Sequence, residues 1–188
     1  DETIPEDQMP MRMVGVSQCF RREVGSHGQS DLGIWRVHQF TKIEQIIIAK
    51  PETSWALHEE LLQNCTDLWN SLGIHFEVVN ICTGDMGTVA AKKYDLEAWI
   101  PGANQYKEIV SCSNCTDYQA NRLSIRYGQP GHPNQPIVHT LNSTAVATSR
   151  ALVAIMEQYQ LDDGRVAIPE VLQPFMGGQT VLEPCNWG

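Results

Sequence analysis

Cys19-Phe20-Arg21-Arg22-Glu23-Val24-Gly25-Ser26-His27-Gly28, followed by Gly33-Ile34-Trp35-Arg36-Val37-His38-Gln39-Phe40, is the stretch whose reading decides the fold. Residues 11–23 turn apolar after a polar start and read as a strand. Residues 24–33 hold three glycines among short polar side chains and read as a loop. Residues 33–49 are rich in β-branched and aromatic residues and read as the returning strand. Two strands joined this directly form an antiparallel hairpin. Further strands are predicted over 74–82, 95–100, 106–111, 123–127 and 137–141. Helices are predicted over 51–72 and 143–160. Leu57, Leu61, Cys65, Leu68 and Leu72 line the first at helical spacing, Thr53 or Ser54 caps it and Gly73 ends it. Thr148, Leu152, Ile155, Met156 and Tyr159 line the second. A further turn is predicted over 169–176, and residues 1–10 read as an irregular surface segment. Strands come in adjacent runs, so the expected class is α+β, an antiparallel β-sheet flanked by helices, rather than a parallel doubly wound sheet.

At 188 residues, 42% hydrophobic and 19% charged, the chain suits one domain with an ordinary core. No apolar run approaches the ~18 residues of a membrane span, so no membrane partner is expected. The acidic start, Glu2 to Asp7, reads neither as a secretory signal nor as a transit peptide. The six cysteines are then expected to be reduced thiols in the cytoplasm. Glycosylation-type triplets at Asn64, Asn114 and Asn142 carry no weight in such a chain. The formal net charge of −9 argues against a self-sufficient nucleic-acid binder, though not against an enzyme touching the end of an RNA. Gly-x-Gly-x-x-Gly and P-loop segments are missing, so a nucleotide site here has to be built from side chains on a sheet.

Four constellations could carry chemistry. Arg21 and Glu23 lie two apart, on one face of a strand. Arg grips phosphate oxygens through its planar fork and Glu accepts from an amino group, although a bare Arg-x-Glu is also what a surface ion pair looks like. On the returning strand Arg36, His38, Phe40, Lys42 and Glu44 share a face that is wet or lines a polar pocket. The adjoining Arg21 and Glu23 favour the pocket. Glu108-Ile109-Val110-Ser111 offers oxygen ligands suited to Mg²⁺ bound with substrate phosphates. It leads into Cys112 and Cys115, but no second Cys-x-x-Cys or paired histidines complete a zinc site, so no zinc is expected. Leu141-Asn142-Ser143-Thr144 enters the second helix, which carries Arg150. Alone, these read as a helix cap and a solvated arginine.

Taken in order, these segments resemble the seryl-tRNA synthetases, a family of class II aminoacyl-tRNA synthetases. The stretch quoted above is similar to motif 2 in its seryl-specific form. Residues 90–99 and 108–119 resemble two further family stretches. Thr140 to Thr144, continuing to Arg150, resembles motif 3 in the Asn-Ser-Thr form of eukaryotic cytosolic members. The resemblance implies activation of L-serine with ATP and transfer to tRNA(Ser), and also to tRNA(Sec). It implies that Arg21 holds the α-phosphate, that Glu23 accepts from the adenine amino group, and that Phe40 and Arg150 stack on the two faces of adenine. Arg36 and Arg150 reach the leaving phosphates. Arg22, Ile109 and Val110 complete the ATP-binding stretches, and Glu108 and Ser111 hold Mg²⁺. Glu44 binds serine in a pocket shaped by Asn142 and Thr144. The loop over 24–33 approaches the acceptor end of tRNA. Residues 1–188 then read as a partial catalytic domain without the N-terminal coiled-coil arm, without motif 1 and its homodimer interface, and without the loop upstream of motif 2. The alternatives are a catalytically inactive paralogue and one that charges a carrier protein.

Overall fold

The computed structural model describes residues 2–22, 33–129 and 131–185. In chain order the elements are β1 (Glu2–Ile4), β2 (Met11–Phe20), β3 (Gln39–Ala49), α1 (Ser54–Ser71), β4 (Phe76–Asn80), β5 (Lys92–Ile100), β6 (Gln105–Asn114), α2 (Tyr118–Leu123), β7 (Ile125–Tyr127), β8 (His139–Ala147), α3 (Thr148–Gln158), β9 (Val166–Ala167) and β10 (Val181–Leu182). A six-stranded sheet runs β2-β3-β8-β6-β5-β4, with every neighbouring pair antiparallel. β1 pairs in parallel with β7 beside it, and β9 pairs with β10. The α+β class and the antiparallel sheet are as the sequence predicts.

One face of the sheet is closed by α1 and α3. Leu57, Leu61, Cys65 and Leu72 turn inward at the expected spacing, and Trp69, one helical turn beyond Cys65, joins them with no exposed surface. Burying such side chains stabilises the fold by about 1.5–3 kcal/mol each. Trp69 and Leu72 share one apolar cluster with Leu96, Ala98, Ile109 and Val110 of the sheet and Ala151 and Ala154 of α3. The two helices meet at their ends, where the Tyr159 hydroxyl donates to the Leu72 carbonyl at 2.7 Å. Gly73 closes α1 in the left-handed region (φ +68°), and a Cβ there would collide with the Tyr159 hydroxyl.

Several expectations are corrected. The returning strand starts at Gln39 rather than residue 33, because Gly33–Trp35 form a 3₁₀ turn that buries Trp35. The second helix starts at Thr148 rather than residue 143: Asn142, Ser143 and Thr144 are mid-strand, their backbone needs met by the ladder to β3. Leu152 and Met156 of α3 are exposed, since the small Ala151 and Ala154 make the close approach to the sheet. Neither Thr53 nor Ser54 caps α1; the Ser54 hydroxyl donates instead to the Pro51 carbonyl at 3.1 Å. Residues 2–4 are a strand with Ile4 buried, not an irregular segment, and α2 has no counterpart among the predicted elements.

Two irregularities set which side chains reach the open face. Between β5 and β6, Leu96 faces Val110 and Glu97 faces Glu108, so Ile109 is one residue too many. Between β3 and β8, Ile43 faces Val146 and Glu44 faces Thr144, so Ala145 is the extra residue. Each is a β-bulge, which shifts the strict alternation of side chains by one. The carbonyl of bulged Ala145 accepts from the Trp69 indole at 3.2 Å.

Candidate active site

On the open face β3 presents Phe40, Lys42 and Glu44, alternate residues of one strand. β8 presents Asn142 and Thr144 beside them. The bulge at Ile109 lets β6 present both Glu108 and Ser111, three residues apart, while Ile109 and Val110 between them pack into the core. Arg21 follows β2, Arg36 follows the 3₁₀ turn and Arg150 lies in the first turn of α3. With Trp35, Val37, Ala147 and Ser149 these residues surround one cavity of about 240 Å³. Among the described residues Arg21, Arg36, Lys42 and Arg150 face Glu44 and Glu108 within it, so this lining is cationic in a chain of net charge −9. Such a site concentrates a polyanionic ligand.

At one end the Glu44 carboxylate accepts from Asn142 Nδ2 at 2.9 Å and from Thr144 Oγ1 at 3.1 Å. Lys42 Nζ lies 2.8 Å from the same carboxylate. At the other end the Arg21 guanidinium sits 5.4 Å over the Phe40 ring. Arg21 and His38 exchange two hydrogen bonds, Arg21 N–H to the His38 carbonyl at 2.9 Å and His38 Nδ1 to the Arg21 carbonyl at 3.1 Å, which holds Arg21 beside β3. Along a third side Arg150 Nη1 donates to the Glu108 carbonyl at 2.7 Å and lies 3.3 Å from its carboxylate. The Trp35 ring supports this arginine at 5.3 Å and also lies 5.1 Å from the Lys107 ammonium.

Behind Ser111 lies Asp95, its partner across the β5–β6 ladder. Asp95 is buried, Lys93 Nζ is 3.3 Å from one oxygen, and Oδ1 has no hydrogen-bond partner among the described residues. Burial, and then the charge of Glu108, push the Asp95 carboxyl above its ordinary range. Glu97, opposite Glu108, is raised by burial and by Glu77, Asp95 and Glu108. The Glu108 carboxylate and the Ser111 hydroxyl are hard oxygen donors on one cavity face, with surplus negative charge behind them. This set fits Mg²⁺, which keeps several waters and shares its remaining positions with phosphate oxygens.

Arg21, Arg36, Phe40, Glu44, Glu108, Ile109, Ser111, Asn142, Thr144 and Arg150, all predicted site residues, line the one cavity. Arg22 is exposed and is not part of the wall, and Val110 is turned into the core. Glu23 and loop residues 24–32 lie outside the described residues. The sequence placed Lys42 on the polar face but gave it no role. It missed Trp35, Val37, Ala147, Ser149 and Asp95. An aspartate directly before the apolar Leu96, in a strand that ends Ala98-Trp99-Ile100, is the only signal the sequence offers for Asp95. Cys112 and Cys115 are buried, free thiols, and burial pushes Cys112 up to about 12, so it stays protonated.

Comparison with known proteins accords with this arrangement. The model described as "tRNA synthetase class II core domain (G, H, P, S and T)" matches residues 1–159. The serine–tRNA ligase of Methanocorpusculum labreanum is 59% identical over 184 residues, 97% of this chain and 43% of that protein. That of Methanoregula boonei is 56% identical, again over 97% of this chain and 43% of its own length. The chain thus spans less than half the length of these curated relatives. Among solved structures, seryl-tRNA synthetase from Pyrococcus horikoshii complexed with ATP superposes with a TM-score of 0.94 at 50% identity, covering 99% of this chain and 41% of that one. Cytoplasmic serine–tRNA ligase from Naegleria fowleri in complex with AMP gives 0.92 at 48%, covering 98% and 44%. A match over 159 of 188 residues shows that the chain belongs to the family of class II tRNA synthetase core domains.

Proposed function

We propose that this chain is a partial catalytic domain of a serine–tRNA ligase, activating L-serine with ATP and passing the seryl group to the acceptor end of tRNA(Ser), and of tRNA(Sec). The observation that carries the reading is the order of groups along β3: an aromatic ring at Phe40, a cation at Lys42 and a carboxylate at Glu44. At about 3.3 Å of rise per residue these span about 13 Å, enough for an adenine at one end and an amino acid's ammonium at the other.

In this reading Phe40 stacks on adenine, Glu23 accepts from its amino group and Arg21 takes the α-phosphate. Arg36 and Arg150 receive the departing phosphates, beside the cavity wall at Ile109. Glu44 holds the serine ammonium, and Asn142 and Thr144 fix that carboxylate. Adenylate formation is a displacement at phosphorus by the serine carboxylate, with no protein nucleophile. The chain contributes placement in line and stabilisation of developing charge. Mg²⁺, held by Glu108 and Ser111, would supply further neutralisation of phosphate charge. Pairing the serine hydroxyl with polar groups rejects alanine, because those groups would otherwise be left unpaired. A homodimer is proposed for the full-length protein, and a cytoplasmic location is supported by the Naegleria relative, which is described as cytoplasmic.

The test is serine-dependent exchange of pyrophosphate into ATP by this chain. Exchange is expected with serine, to be absent with alanine, and to fall about 10³-fold in Arg21→Ala, the scale of losing one transition-state charge contact. Exchange indifferent to the amino acid, or untouched by Arg21→Ala, would sink the reading.

A further inference from the structure

Lys42 belongs to the cavity wall, yet neither the nucleotide nor the amino acid has been given to it. Its ammonium lies 2.8 Å from Glu44, and the two side chains keep 30% and 15% of their surface exposed. Among the described residues Glu44 is otherwise held by neutral donors, Asn142 on one oxygen and Thr144 on the other. Lys42 shares the Thr144 side, Oε2, so the carboxylate already has one cationic partner of its own. A primary ammonium is the same chemical group that an amino acid would bring to Glu44. Asn142, Thr144 and Lys42 take three of the carboxylate's four acceptor positions, and a second ammonium beside Lys42 meets like-charge repulsion, so an incoming ammonium favours the release of Lys42.

The place where the freed ammonium would go follows from the strand. Lys42 lies two residues from Phe40 and two from Glu44 on one face, midway between the ring and the carboxylate. In a ligand with an aromatic base at one end and an ammonium at the other, the midpoint is where carboxylate meets phosphate, the most anionic part. A lysine stem is long and flexible and its charge is a compact point. It can swing from Glu44 to that junction, where a planar guanidinium could not turn so freely.

We infer that Lys42 is a substrate-displaced cation: it neutralises Glu44 in the empty site, yields it to the amino acid's ammonium, and then binds the amino acid's carboxylate. The inference rests on the serine reading of the site. It makes Lys42 a specificity determinant for ligands carrying both charges. An amine without a carboxylate bears the work of displacing Lys42 and gives it nothing to bind. A complete amino acid compensates the displacement with a new ion pair.

The test is calorimetric titration of this chain with L-serine and with L-serinamide, which keeps the ammonium and hydroxyl but replaces the carboxylate by a neutral amide. Wild type, Lys42→Met and Lys42→Arg are compared, each checked by its thermal melt. In Lys42→Met the ratio of serine to serinamide affinity is expected to fall at least tenfold, with serinamide binding tighter than to wild type. Lys42→Arg is expected to keep a preference for serine. A purely structural lysine would weaken both ligands alike, and an unchanged ratio therefore overturns the role of Lys42 while leaving the serine site in place. If neither ligand binds any of the three chains while ATP still binds, the serine reading falls and this inference falls with it.

Discussion

The two faces of β3 and β8 are built from alternate residues of the same strands, yet they obey different rules. On the closed face Ile47, Ala49 and Leu141 pack against Leu57 and Leu61 of α1. Its polar members, Gln45, Cys65 and Ser143, satisfy one another: the Gln45 amide donates to Cys65 Sγ at 3.1 Å, and Cys65 Sγ lies 3.2 Å from Ser143 Oγ. On the open face, one residue over, Lys42, Glu44, Asn142 and Thr144 keep their charges and donors turned to a cavity. A β-strand can carry a stabilising surface and a chemical one at once because its side chains alternate. Substitutions on one face should therefore leave the property of the other untouched.

The largest expected effect is on the closed face. Leu61→Ala should cost about 2–5 kcal/mol of stability, seen as a lower denaturation midpoint, while the folded chain binds ATP with unchanged affinity. A parallel loss of ATP affinity would break the division between faces. Next comes Glu44→Ala, expected to weaken serine by about 1.5–3 kcal/mol, the range of a charged hydrogen-bonded contact, with ATP affinity and melting temperature nearly unchanged. Equal loss for both ligands would mean that the amino-acid end is misplaced.

Smaller effects sharpen the comparison. His58, fully buried on the inner side of α1, stacks on Tyr94 and shares a 3.1 Å hydrogen bond between its Nε2 and the Cys112 carbonyl; its Nδ1 has no partner among the described residues. Burial lowers its pKa, so it stays neutral in the folded chain where the unfolded chain takes up a proton. Its contribution is complete above about pH 6.5 and is lost as pH falls below that value. Asp95, raised by burial, runs the other way and contributes more as pH falls. The difference between wild type and His58→Gln is thus the measure. As pH falls below 6.5 the variant should lose less stability than wild type, because in wild type the unfolded chain alone takes up the His58 proton. A difference that does not change with pH would show that His58 does not titrate. Smallest of all, Cys112→Ser should leave pyrophosphate exchange unchanged and cost about 1 kcal/mol of stability, the size of a typical single substitution. A large loss of exchange would show that a closed-face thiol reaches the chemistry.

The hairpin was legible because a loop of glycines and short polar residues separates two stretches of strand-like composition, and α1 because Leu57, Leu61, Cys65 and Leu72 recur at helical spacing. The site residues were legible through resemblance, since Arg21 or Arg150 alone reads as an ordinary surface cation. Asn142 to Thr144 misled because short polar residues ahead of a helix look like a cap, and only the pairing with β3 shows them to be strand. Glu108 and Ser111, three apart, belong on opposite faces of a regular strand. What brings them together is the extra residue at Ile109, visible only by counting β6 against β5. Lys42 stayed without a role because its partner is fixed by where Asn142 and Thr144 hold Glu44, about 100 residues away in the chain.

The Trp69 indole reaches through from the closed side to the carbonyl of Ala145, the residue whose displacement brings both Thr144 and Ala147 to the cavity. Loss of function could then arise from lesions at a tryptophan that is no part of the cavity wall. Their suppressors would fall in the bulge rather than among the cavity residues.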